Sequence, residues 1–264
     1  MNWSSIIAIY ALFWVMTAFV ILPIGVRTHN CQCGVGSATQ SQLDTVTAAS
    51  PSTGVNAVTG EGLDAALAGA HVVVDVTNSP SFEDEAVMHF FCASTRHLLD
   101  ACSRAGVGHF VALSVVGCEQ LPASGYFRAK VAQEALIRAG HVPCTIVRAT
   151  QFHEFLMSIA HAATKGQTVR LPPAPLQPIA SADVAAALAD VATQPPLGDV
   201  CEVGGPEVAS LHELVRRVLQ ARDDPREVVC DPQAMYFGTL LRGEELVPGP
   251  NARIAPTSLA QWLR

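Results

Sequence analysis

Tyr126-Phe-Arg-Ala-Lys130, with Ser114 upstream at the end of an apolar run, supplies the parts of a proton-transfer apparatus. Residues four apart on a helix share a face, so the phenol and the ammonium project from successive turns toward one side. A free phenol titrates near pH ~10 and is a poor acid or base at neutrality. A neighbouring cation favours the phenolate and brings it toward working range, and Lys130 is that cation. Ser114 follows His109-Phe-Val-Ala-Leu113, which reads as a buried parallel strand. A hydroxyl at the carboxyl end of such a strand faces the crevice where α/β sheets bind ligands. The chemistry these parts fit is hydride transfer coupled to proton transfer. Taken alone, the spacing also fits an ordinary helix start with a solvated lysine, so the surrounding elements decide.

After a polar linker over residues 28–42, short β-rich runs alternate with helical ones, the pattern of a mostly parallel sheet covered on both faces. Residues 45–49 read as a strand, and the turn after it carries Ser50 and Ser52 where an adenosine ribose would sit. An NAD site commonly offers an acid there. None is present, which leans the cofactor toward NADP, although a plain serine turn fits as well. Residues 70–76 form the next strand, with Asn78 at its carboxyl end as a cofactor contact. Ser81 and Asp84 have capping-box spacing for the helix that follows, and Glu83-Asp84-Glu85 complements its dipole. His89 and His97 on that helix read as surface or packing residues, because no carboxylate or second histidine sits at metal spacing. Residues 143–148 are another strand, followed by Thr150 and Phe152, candidates for lining the nicotinamide and substrate side. His153-Glu154 lacks the second histidine of a zinc-protease motif, since Met157 stands there. Residues 165–177 read as a proline-rich substrate-side loop. Asp183 begins an alanine-rich helix, Ser210 and Glu213 repeat the capping-box spacing, and the proline-containing remainder reads as irregular.

Of the 264 residues half are apolar, enough for one α/β domain with a small appendage. A formal charge of −7 and the lack of a basic cluster argue against nucleic acid as a partner. Of eight cysteines, Cys92, Cys102, Cys118, Cys144, Cys201 and Cys230 are scattered and read as reduced packing residues, and the close pair Cys31-Gln-Cys33 alone is a weak metal signal, so no metal is expected. Residues 6–26 are uncharged and apolar, long enough to cross a bilayer and without the basic residue that opens a signal peptide. They read as a membrane helix, and Arg27 and His29 just after it place the following domain in the cytoplasm by the positive-inside tendency.

Several separate stretches resemble the short-chain dehydrogenase/reductase superfamily, and specifically its atypical NmrA-like branch of NAD(P)H-binding proteins. They are Ala48-Ala-Ser-Pro-Ser-Thr-Gly54, Val72-Val-Val-Asp-Val-Thr-Asn78, the Ser114/Tyr126/Lys130 set, Thr145-Ile-Val-Arg-Ala-Thr-Gln-Phe152, Ile179-Ala-Ser-Ala-Asp-Val-Ala185 and Gly204-Gly-Pro-Glu207. The resemblance covers residues 43–264 and keeps the family's order. It implies that Tyr126 is the proton donor or acceptor, that Lys130 binds the nicotinamide ribose and poises Tyr126, and that Ser114 orients the reacting carbonyl. Relatives in this branch include dinucleotide sensors without turnover.

One expected part is missing: no strand followed by a glycine-rich phosphate turn opens the domain. Gly34-Val-Gly36 has Thr39 where a third glycine belongs, and Gly60-Glu-Gly62-Leu-Asp-Ala65 reads as a turn before a short helix. Residues 1–30 instead resemble the first helix of an uncharacterised family of small bacterial inner-membrane proteins, so the chain reads as chimeric. Residues 19–26 are the one substitute strand available, and Pro23 argues against a central place for them.

The expected architecture is a membrane helix at 1–27, a linker at 28–42 and a Rossmann-like, doubly wound, mostly parallel α/β domain at 43–264, its first strand missing. The expected activity is reduction of a small carbonyl or quinone-like compound by the reduced form of NADP, or of NAD. A non-catalytic dinucleotide sensor and a fragment without cofactor are the alternatives. The expected location is single-pass in the bacterial inner membrane, or the cytoplasm if the amino terminus is an artefact of gene calling. The oligomeric state is left open.

Overall fold

Val72-Val-Val-Asp75 and His109-Phe-Val-Ala-Leu-Ser-Val115 are strands because β-branched and apolar side chains can fill both faces of a covered sheet. The computed structural model describes residues 24–27 and 45–264. In chain order these give β1 (Ile24–Arg27), β2 (Thr45–Ala48), α1 (Leu63–Leu67), β3 (Val72–Asp75), α2 (Asp84–Ala105), β4 (His109–Val115), α3 (Gly125–Ala139) and β5 (Cys144–Ala149). There follow α4 (Leu156–Ala162), β6 (Thr164–Lys165), β7 (Thr168–Leu171), β8 (Pro175–Leu176), α5 (Ser181–Ala192) and β9 (Val200–Gly204). The chain closes with β10 (Ala209–Ser210), α6 (Leu211–Ala221), β11 (Glu227–Cys230), β12 (Arg253–Ile254) and α7 (Leu259–Trp262). The alternation is α/β and Rossmann-like, with parallel pairing between the principal strands.

Contacts divide the chain into two compact units. The first comprises Met1–Leu113, Ala132–Thr145 and Val191–Asp199. In it β3 runs parallel to β4, with Val72 opposite His109 and Asp75 opposite Ala112. β1 lies between β2 and β3 and is antiparallel to both: Ile24 is opposite Ala48 and Val74, and Val26 is opposite Val46 and Val72. The substitute strand thus exists. It starts one residue past Pro23, so no ladder bond is asked of the proline. Its direction has a cost for the cofactor, because Arg27 ends at the amino-terminal edge of β3, whereas a phosphate turn follows a strand that ends at the carboxyl edge.

The expected membrane helix falls mostly on residues 6–23, outside the described residues. Its last residues, 24–26, are strand rather than helix, their backbone groups satisfied by neighbours on both sides. No helix of the described residues is long and apolar enough to cross a membrane. Within the first unit α2 buries Val87, Phe91, Leu98 and Cys102 on one face, each contributing about 1.5–3 kcal/mol if fully buried. Its start departs from expectation. Glu83 is the N-cap and no side chain caps it, because Ser81 Oγ instead accepts from the Glu83 N–H at 3.2 Å in a local turn.

The second unit comprises Ser114–Val131, Ile146–Asp190 and Val200–Arg264. Here β5 is parallel to β9, and β9 to β12. Residues 165–177, expected as a loop, contain β7 and β8: β7 pairs with β6 and β11, and β8 with β10. The core gathers Leu156 and Ile159 of α4, Leu171 and Leu176, and the Leu211, Leu214, Val215, Val218 stripe of α6. Ser210 occupies the N-cap position of α6, but its side chain accepts no cap bond, so the second capping box is not formed either.

Gly117 follows β4 at φ 75°, and a Cβ there would lie 1.8 Å from the Glu245 carbonyl oxygen. Gly166 has a similar φ of 64° with nothing within 4 Å. Gly117→Ala therefore adds a steric displacement to the ~1–2 kcal/mol conformational cost that Gly166→Ala carries alone. Thermal unfolding of the two variants should show a clearly larger loss for Gly117→Ala, by roughly 2 kcal/mol or more. Equal losses would mean that the chain at Glu245 does not press on this turn.

Candidate functional site

In the first unit, the residues named from sequence collect at one sheet edge. Ala48 and Val74 are both registered to Ile24, so Ser50 and Asn78 follow strands that end on the same side. Ser50 and Ser52 bond to each other, Oγ to Oγ, at 2.7 Å, in a turn closed by Ser50 N–H to Thr53 Oγ1 at 2.9 Å. Asn78 is half-buried, and its Oδ1 and the adjacent Thr77 Oγ1 are buried without a hydrogen-bond partner. Buried polar atoms without partners are uncommon, and each asks for an explanation such as a water, an ion or a catalytic role.

The same edge holds a residue that composition did not single out. Asp75, 1% exposed, accepts from the Thr77 N–H at 2.9 Å and from Gln133 Nε2 at 3.1 Å. The first bond folds the turn that carries Thr77 and Asn78. The second fixes α3, on which Gln133 stands at helical spacing from Tyr126 and Lys130. An acid closing a run of three valines was the available signal. Asp75 also acts on the Cys102 thiol, which burial first and then this carboxylate push up to about 12. Cys102 is thus an inert packing thiol, in keeping with its free, buried state.

The second unit holds the remaining set. Ser114 is buried near the end of β4, Tyr126 is half-buried at the start of α3, and Lys130 is 3% exposed one turn later. The solvated-lysine reading is therefore excluded. The expectation that Lys130 draws the phenol down toward neutrality is not met. Burial, and then the neighbouring Cys118, hold the Tyr126 phenol above its ordinary value of 10.0. Desolvation disfavours the charged form, so the resting group is a neutral phenol. Thr150, 1% exposed, follows β5 with its Oγ1 unpartnered, and Phe152 is half-buried, its backbone bridged in parallel to Ile179. Beside Thr150, Gln151 has a buried, unpartnered Oε1.

Other motifs resolve as structure. Glu154 accepts from the Ser181 N–H and Oγ and from Trp262 Nε1, which ties α5 to α7. His97 Nδ1 meets the Ala57 carbonyl at 3.2 Å, and His89 is exposed. Gly60 and Gly62 sit at φ 80° and 74°, the turn before α1. No metal-binding cluster occurs among the described residues. Cys31-Gln-Cys33 and Gly34-Val-Gly36 lie outside them.

Ser50, Ser52, Thr77 and Asn78 gather hydroxyl and amide atoms at these strand ends, the unpartnered pair among them. Residues 1–40 match a family described as a protein of unknown function (DUF1467). No curated protein matches the sequence. Among solved structures, MoeE5 in complex with UDP-glucose and NAD aligns at a TM-score of 0.62 and 18% identity, over 78% of this chain and 82% of that one. A putative epimerase from Burkholderia cenocepacia J2315 aligns at 0.54 and 18%, over 77% and 72%. The NADPH-dependent quinone oxidoreductase QOR2 of Escherichia coli, complexed with NADPH, aligns at 0.52 and 20%, over 67% of this chain and 60% of that one. At such identities these likenesses show the fold. Residues 36–195 match the family described as NAD(P)H-binding, and with more than half of its length inside that match the chain belongs to the NAD(P)H-binding family.

Proposed function

We propose that the chain is of the NmrA-like short-chain dehydrogenase/reductase type and reduces a small carbonyl or quinone-like compound with Tyr126 as proton donor. The observation that carries this reading is Lys130, an ammonium only 3% exposed and one helical turn beyond a half-buried phenol. Lysine is almost never fully buried unless paired, and a buried cation on the face of a tyrosine is the arrangement that stabilises a transient phenolate. NAD(P)H, when bound, supplies the hydride. Ser50, Ser52 and Asn78 would hold its polar groups, and Lys130 its nicotinamide ribose. Thr150 and Phe152 line the nicotinamide side. Ser114 Oγ–H donates to the substrate carbonyl oxygen, and Tyr126 gives that oxygen its proton as the carbonyl carbon is reduced. The phenolate then recovers a proton from solvent. A phenol held neutral by burial is in the state that reduction requires. The Ser50/Ser52 turn, with no acid from Ala49 until Glu61, supports NADP over NAD. Residues 6–23 remain proposed as a membrane anchor on their uncharged apolar composition, with the domain on the cytoplasmic side.

Three outcomes are expected. Tyr126→Phe should bind NADPH with unchanged affinity in a fluorescence titration while reduction of 1,4-benzoquinone or benzaldehyde falls by roughly 10²–10⁴. Equal turnover would remove Tyr126 from the chemistry, and NADPH binding without turnover in the wild type would favour a sensing module.

The pH profile follows from the raised phenol. Only the protonated form can donate, so kcat/KM for reduction should show no alkaline loss from this group below about pH 10, the ordinary tyrosine value. A limb near pH ~7–8 that vanishes in Tyr126→Phe would mean a poised phenolate instead.

Fractionation tests the anchor: the chain should stay with membranes through an alkaline carbonate wash, and release would show that residues 6–23 do not span.

A further inference from the structure

The last residues of the second unit close on a histidine that the reaction described above does not use. His153 is 1% exposed and opens the short 3-10 turn His153–Phe155, its backbone N–H donated to the Ile179 carbonyl at 2.8 Å. Its ring Nε2 lies 3.2 Å from the Thr257 carbonyl oxygen. A carbonyl can only accept, so Nε2 carries the proton, and in the neutral ring Nδ1 is bare. That Nδ1 is buried without a hydrogen-bond partner.

Thr257 has every polar group engaged. Its N–H and its hydroxyl donate to the two oxygens of Asp183, at 3.0 and 3.1 Å, while its carbonyl accepts from His153. Further on, Trp262 Nε1 donates to Glu154 Oε1 at 3.2 Å, and the indole lies 5.7 Å from the His153 ring, centroid to centroid. Leu259, between the two, is 1% exposed. Residues 257–262 are thereby fastened to the turn at 153–155 and to the start of α5. One of these fastenings hangs on a side chain that changes charge near neutrality.

A second ring proton would give His153 an Nδ1–H with no acceptor, and burial already holds the imidazole below its ordinary value of 6.5. The surroundings offset that burial only in part. They are the Thr257 carbonyl and three carboxylates: Glu154 in the same turn, Asp183 of α5, and Glu207 ahead of β10. Glu207 is itself paired with Arg217 of α6, and the other cation on this side, Arg222, lies 5.8 Å from the Trp262 ring centroid. Because the folded-state value is the lower one, the closed arrangement is favoured in full above about pH 6.5 and loses stability as the pH falls below it.

We propose that residues 257–262 are a pH-gated latch, closed while His153 is neutral and loosened when His153 takes a second ring proton, whose Nδ1–H finds an acceptor only once Thr257 and Trp262 move off and water enters. The latch is independent of the reductase chemistry proposed above, since it needs neither cofactor nor substrate.

Amide hydrogen exchange of the full-length protein, corrected for the intrinsic pH dependence of exchange, tests the latch between about pH 7.5 and about pH 5.5, a window above the ordinary carboxylate range. Protection of residues 257–264 should fall about threefold or more across it, with a midpoint below 6.5, while β3 and β4 keep theirs. His153→Gln, whose side-chain amide still donates to Thr257 but does not titrate, should keep the neutral-pH protection throughout. His153→Leu neither donates nor titrates, and should show lowered protection with no pH step, which serves if the glutamine variant fails to fold. If neither variant folds, the wild-type midpoint decides. Protection that does not respond to pH in the wild type, a midpoint above 6.5, or a step that persists in either variant overturns the proposal.

Discussion

The Asp75 carboxylate is the charge on which the strand-end turn of the first unit depends. It sits at the carboxyl end of a fully buried strand and spends its two oxygens on the Thr77 N–H and the Gln133 amide. A buried carboxylate is costly unless it is hydrogen-bonded, so this geometry is favoured only while both donors stay in place. Holding them means holding the Thr77-Asn78 turn on one side and the face of α3 on the other. Thr77 Oγ1 and Asn78 Oδ1, both buried without a hydrogen-bond partner, stand on that turn.

The strand beside it shows how a fold tolerates an unusual first element. β2 and β3 each present an edge that must be paired, and Ile24–Arg27 pairs both at once. Antiparallel direction satisfies the hydrogen bonds as well as parallel direction does. It does not satisfy the phosphate chemistry, because the chain leaves β1 at the edge away from Ser50 and Asn78. The direction of β1 thus leaves the first unit without the strand, turn and helix amino terminus that the usual fold offers a phosphate.

Much of this was legible from residue order. The valine-rich strands, the long helix with Phe91 and Leu98 inside, and the placing of Tyr126 and Lys130 one turn apart all follow from periodicity. What was not legible depends on partners far away in sequence. Asp75 meets a residue 58 positions on, and Glu154 accepts from Trp262, 108 positions on. Ser81 and Ser210 show the limit of a motif: the spacing was right, but a nearer backbone N–H took the Ser81 hydroxyl, and Ser210 makes no cap bond. The tyrosine's direction of shift was misread for a related reason. A cation one turn away is visible in sequence, whereas the desolvation that raises the phenol depends on packing from elsewhere in the chain.

Amide hydrogen exchange of the full-length protein with and without NADPH tests the central claim, that the dinucleotide lies on the strand-end turns organised by Asp75. Protection should rise at residues 49–54 and 76–81 when NADPH is added, and β7 and β11 should be unaffected. Unchanged exchange at both turns under saturating NADPH would contradict the claim, whatever the rest of the chain does.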